Sequence, residues 1–230
     1  IWGLDQEFFG AAGYMFEQML AVHPGPAARV AIEKLATVDQ AATAKALASG
    51  SPGDLFIYTG TDQQLAEARP AIAHDGGARV RSLFDALAET RAFYLGQNTD
   101  GFASNRQRAL LMKRTLVRYL YKSATPARVL FKFGDLHMAK GINAHGQRDV
   151  GNFVAERAEG EGAASLHIAV YGAKGVHALY GGVGRQVRHE PFVLTDDPDY
   201  AWLKDALPSS NNAGAAQQWT VIDLRAFQGR

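Results

Sequence analysis

The sequence contains no cysteine, which excludes disulfides, thiolate nucleophiles, zinc-thiolate sites and iron-sulfur clusters. It has no excess of either charge. Lys and Arg total 24 and Asp and Glu 23, a net charge of +1, so nothing general draws it to nucleic acid or an anionic membrane. Any charged ligand must be held locally. No run approaches the roughly 20 apolar residues that cross a bilayer, and no charged-then-apolar leader precedes a cleavage site. None of these absences fixes a compartment or an oligomeric state.

What is present is a chain of 230 residues, 47% of them hydrophobic, which is enough to pack one core and predicts a single domain over 1–230. "IWGLDQEF" opens as an apolar run that reaches Asp5 and Glu7, which share a face at the strand period of two. Because the chain begins at Ile1, inside a strand-like run, residues are expected to precede it. "GAAGYMFEQMLAVHPGP" carries Tyr14, Met15, Gln18 and Met19 at helical spacing until Pro24 to Pro26 stop it. Alanine-rich residues 27–49 predict one or two helices. In 78–96, Val80, Leu83, Phe84, Leu87 and Phe93 line one side of a firm helix. A long helix is predicted over 105–122, and "DVGNFVAERAEG" and "YAWLKDALP" predict shorter ones.

"RVLFKFG", "SLHIAVYG" and "WTVIDLRAF" read as strands. Strands alternating with helices predict an α/β fold: an open, mostly parallel sheet flanked by helices, with residues 24–101 as a helix-rich insertion or cap.

In such a sheet, ligands gather at the carboxyl ends of strands. Asp135 and His137 follow "RVLFKFG", and Asp5 and Glu7 follow the first run. If these two strands are neighbours, the carboxylates and the imidazole share a crevice in which a carboxylate can orient a histidine as a base. A lone histidine or aspartate after a strand also serves as a plain hydrogen-bonder or cap. On the preceding helix, Asn105, Arg108, Met112, Leu116 and Tyr119 fall on one face, so the Arg108 guanidinium can reach a crevice or join a solvated basic surface.

Further on, Asp149 is a natural helix N-cap. His137 and His145 with Asp135 or Asp149 contain metal-ligand residue types, but their spacing matches no compact motif such as HExxH. "YGGVGR" at 180–185 lacks the Lys and Ser/Thr of a phosphate loop and reads as a turn. His23, His74, His167, His177 and His189 form no recognisable constellation.

The block "NRQRALLMKRTLVRYLYKSATPARVLFKFGDLHMAKG" resembles the part of erythromycin esterase-like proteins in which an "RDxxMA" helix leads into a strand ending "WAHNxH". Arg108 and Met112 fall on the family's Arg and Met, and His137 on its last His. Ala109, Gly134 and Asp135 replace its Asp, first His and Asn. "DVGNFVAERAEGEGAASLHIAVYG" is similar to the family's following helix and strand, and "GLDQEF" to its "GxDxQ" strand, with Asp5 matching. The family's "GExHG" segment has no counterpart here and would lie before Ile1.

The resemblance implies an α/β fold with a crevice near His137 and Arg108. It also implies a soluble bacterial hydrolase that cleaves an ester or lactone by His-assisted activation of water. His137 would act on the reacting oxygen, Arg108 would anchor or stabilise an oxyanion, and Asp5, Glu7 or Asp135 would orient a histidine. The expected partner is a small-molecule substrate, with no nucleotide cofactor and no resident metal. The wider group includes haem-binding ChaN-like and metal-dependent TraB/TIKI proteins. Two alternatives follow: a non-catalytic binder of haem or another small molecule, with His137 or a tyrosine as axial ligand, and a metal-dependent hydrolase.

Overall fold

The computed structural model describes residues 1–6, 9–123, 128–204 and 220–223. Two compact units divide the chain: Ile1–Ala169 with Gly182–Arg185, and Val170–Gly181 with Gln186–Arg230.

The first unit is helical. Its helices are α1 (Ala12–Ala21), α2 (Pro26–Ser49), α3 (Phe56–Thr59), α4 (Asp62–Asp75), α5 (Gly77–Gln97), α6 (Gly101–Lys122), α7 (Asp135–Met138) and α8 (Val150–Gly160). Local chemistry sets most of the ends. Pro26 opens α2, where its missing N–H costs no hydrogen bond, and Gly50 closes it in the left-handed conformation with φ 79°. Asp75 supports the α2 start from the end of α4, its carboxylate accepting from the N–H groups of Ala27 and Ala28. Thr61 and Gln64 form a reciprocal capping box at the start of α4. Asp100 caps α6 through the Ala103 N–H.

The main core joins α1 to α5. Phe16, Met19, Ile32, Phe56, Ile57, Ile72, Val80, Phe84 and Leu87 are all buried there, each contributing on the order of 1.5–3 kcal/mol through loss of apolar contact with water. A smaller cluster buries Leu4, Met112, Leu116 and Val150, with Phe131, Phe133, Met138 and Phe153 packed against it. Trp2 stacks flat on Tyr119 at its edge, with ring centroids 5.2 Å apart.

The open, mostly parallel sheet expected from the sequence is not present among the described residues, which are mostly helical. The described residues are 60% helix and 6% strand, and the sheet found among them lies in the second unit: β1 (Lys174–Leu179) paired antiparallel with β2 (Arg188–Val193). Residues 24–101 are therefore not a cap on a sheet; with α1 they build the larger core.

The segments read as strands show why. In 128–134, Val129, Phe131 and Phe133 are half-buried while Leu130 and Lys132 are exposed, so the period-two alternation is real. Yet no main-chain group in 129–133 makes a main-chain hydrogen bond among the described residues. A strand exists only as half of a ladder, and amphipathic alternation does not supply the other half. In 165–168 the pattern is inverted, with Ser165 and His167 half-buried and Leu166 and Ile168 exposed. Residues 1–6 and 220–223 likewise carry no strand; the rest of "WTVIDLRAF" lies outside the described residues. "YAWLKDALP" enters a 3-10 turn at Pro198–Leu203, and "YGGVGR" falls in the connection between β1 and β2.

One core group is anomalous. Asp39 of α2 is buried to 7% exposure, beside Gly13 of α1, where an added Cβ would come within 2.8 Å of its carboxylate. Among the described residues no cation pairs with it, and burial pushes its carboxyl above the ordinary value. A raised folded-state value means that this group's stabilising contribution is complete below the ordinary Asp pKa and is lost as pH rises through the folded value. Asp39→Asn is therefore expected to raise stability at pH 7 by about 1 kcal/mol, the scale of desolvating an uncompensated polar group. Denaturant titrations should show the gain shrinking towards acid pH. A constant difference from pH 3 to pH 8 would rule out the desolvated charge as its source.

Candidate active site

His137 is the third residue of α7, a single turn that brings its ring edge-on to Phe133 at 6.3 Å. Its Nδ1 lies 2.8 Å from Asp149 Oδ2. Asp149 is the N-cap of α8, and its second oxygen accepts the Val150 N–H at 2.6 Å. One carboxylate thus performs two tasks: it starts a helix and anchors an imidazole. The Asp149 side chain is 5% exposed and that of His137 20%, so the anchoring contact is shielded while part of the ring meets solvent. A carboxylate on Nδ1 holds that nitrogen as the N–H donor and leaves Nε2 with its lone pair, the form needed by a general base.

The loop between α7 and α8 is tied down from both sides. Buried Asn143 donates through Nδ2 to the Leu136 carbonyl and accepts at Oδ1 from the N–H groups of His145 and Gln147. Asn152 of α8 accepts the Gly141 N–H. Gln147 donates to the Phe102 carbonyl on α6 at 2.6 Å. These bonds satisfy main-chain groups that a loop would otherwise leave to water, and they fix the separation of His137 and Asp149.

Arg108 has a different partner. Its Nε lies 3.1 Å from both Asp5 oxygens and its Nη2 2.5 Å from Oδ2, a fork matched to a carboxylate. Asp5 also accepts the Gln6 N–H. The pair is largely enclosed, at 15% and 21% side-chain exposure, and clamps the N-terminal segment onto α6. Arg108 precedes Met112 by one helical turn, while Leu4 precedes Asp5. Both side-chain pairs thus flank the smaller core, His137–Asp149 beside Met138 and Val150 and Arg108–Asp5 beside Met112 and Leu4.

The structure redistributes the roles expected from the sequence. The carboxylate that orients His137 is Asp149, which sequence reasoning read as a cap. Asp5 holds Arg108. Asp135 is exposed and accepts the adjacent Leu136 N–H. Glu7 lies outside the described residues. His145 is exposed, and among the described residues no group of three His, Asp or Glu side chains gathers as metal ligands. No described helix is long and apolar enough to cross a membrane. The signal that could have found Asp149 is the lone glycine two residues after it: Gly151 allows α8 to approach α7 so closely that a Cβ there would collide with the Met138 main chain.

A cavity of about 350 Å³ lies among α1, α3, α5 and the N-terminal segment, with Asp5, Gln6 and Thr90 along one part of its lining. His137 and Arg108 are not among its lining residues.

Fold and site together define a class, a predominantly helical protein with a carboxylate-anchored imidazole. No family model, curated protein or solved structure matches the chain.

Proposed function

We propose that the protein is an erythromycin esterase-like hydrolase that cleaves an ester or lactone with water activated by His137. The observation that carries this reading is the 2.8 Å contact between His137 Nδ1 and a buried carboxylate. In the proposed reaction, Nε2 takes a proton from water as its oxygen attacks the ester carbon. Asp149 balances the imidazolium so formed, and the proton passes to the departing alkoxide as the carbon-oxygen bond breaks. Arg108 and Asp5 act as positioning residues, holding the N-terminal segment against α6.

The reading rests on the dyad and on motif order, and takes nothing from the α/β architecture. A panel of nitrophenyl esters and lactones tests it. Turnover above the buffer rate is expected, together with a loss on the order of 10² or more in His137→Ala and an unchanged thermal melt. Absence of turnover across the panel, or a His137→Ala protein as active as the parent, would overturn it.

A further inference from the structure

We propose that the cavity among α1, α3, α5 and the N-terminal segment binds a compact, uncharged amphipathic molecule, an alicyclic or aromatic alcohol. This inference is independent of the hydrolytic reading, because His137 does not line the cavity.

The hollow, about 350 Å³ and partly open to solvent, falls within the size range of small-molecule sites. Its walls are apolar: Met15 of α1, Ile57 of α3, and Leu83, Ala86 and Leu87 of α5. Ile57 and Leu87 are each 1% exposed and belong to the main core, so these walls are set by packing. Such a surface favours a hydrocarbon body over water.

The polar part selects the head group. The Thr90 hydroxyl donates to Gln6 Oε1 at 3.1 Å, which leaves the Gln6 amide N–H groups as donors and the lone pairs of the Thr90 oxygen as acceptors. Asp5 is matched by the Arg108 fork and by the Gln6 N–H. The site therefore presents no uncompensated charge. A cation would have to compete with a bidentate guanidinium, and an anion would lose hydration without gaining a counter-charge. A hydroxyl meets neither obstacle, since it can accept from Gln6 and donate to Thr90.

Fluorescence titration of the full chain with 2-naphthol tests this, with 2-naphthoate and 2-naphthylmethylammonium as charged controls. Saturable one-to-one binding of 2-naphthol is expected, with each charged analogue weaker by roughly tenfold or more. Ala86→Phe, which fills the cavity from a half-buried position on α5, should abolish binding. Gln6→Leu, which keeps the bulk and removes the donors, should weaken it by roughly 3- to 10-fold. His137→Ala should bind as the parent does, so the cavity and the dyad fail or survive separately. Absence of saturable binding, equal affinity for the charged analogues, or full binding by a folded Ala86→Phe protein would overturn the proposal. If Ala86→Phe does not fold, undiminished binding by Gln6→Leu would do so.

Discussion

Asp149→Asn is expected to lower turnover of an ester substrate by about 10² to 10⁴ while leaving the fold in place. Asparagine is as good an N-cap as aspartate, so its side-chain oxygen can still accept the Val150 N–H and α8 can still start where it does. What changes is the group facing His137. An amide N–H in place of the second carboxylate oxygen donates to Nδ1, which drives the ring to the other tautomer and puts the proton on Nε2, where the base must be bare. Imidazolium formed during the reaction also loses its counter-charge.

Asp149→Ala separates the two tasks. It removes the cap as well and should cost about 1 kcal/mol of stability, which Asn does not. Turnover and denaturation midpoints on both variants, with nitrogen NMR of the His137 ring to read the tautomer, provide the check. Parental turnover in Asp149→Asn would show that the contact serves structure alone.

The largest stability effect is expected at Gly151. A Cβ there would fall on the main chain of Met138, at its Cα, carbonyl carbon and oxygen, so no flexible side chain can give way. Gly151→Ala must push α7 off α8, and overpacking against backbone of this kind costs on the order of 2–3 kcal/mol or more. The same displacement would pull His137 from Asp149, so activity should fall with stability.

Gly160, at the other end of α8, has nothing within 4 Å of a Cβ. Gly160→Ala should be neutral or gain up to about 1 kcal/mol by restricting the unfolded chain. Denaturant midpoints for the two variants measure the contrast. Equal stability of both would refute the close approach of α7 and α8.

The helices were legible because their signals are local. Val80, Phe84 and Leu87 recur at the 3.6-residue period, and all three face the core. Residues 27–49, read as one or two helices, form a single one begun at Pro26. Helix α4 escaped notice although Thr61 and Gln64 announce a capping box; Pro70 and a weak apolar stripe obscured its periodicity. The hairpin of β1 and β2 was missed because both strands are largely exposed and so carry no hydrophobic alternation. The glycines between them were read only as a turn.

The candidate site divides in the same way. His137 stood out from its position after "FKFGD", and Arg108 from its place above Met112 and Leu116. Their partners did not. Asp5 meets Arg108 from 103 positions away, and Asp149 reaches His137 through a loop whose course depends on Asn143 and Asn152.

Composition alone ruled out thiol chemistry and any general electrostatic attraction to polyanions, and residue periodicity placed the helix faces, because both properties belong to a chain and its nearest neighbours. Whether "RVLFKFG" found a neighbouring strand, and which carboxylate came to rest on the imidazole, depended on groups distant along the chain. Those pairings follow from how α6, α7 and α8 close around Leu4, Met112, Leu116 and Val150, and only packing in three dimensions decides them.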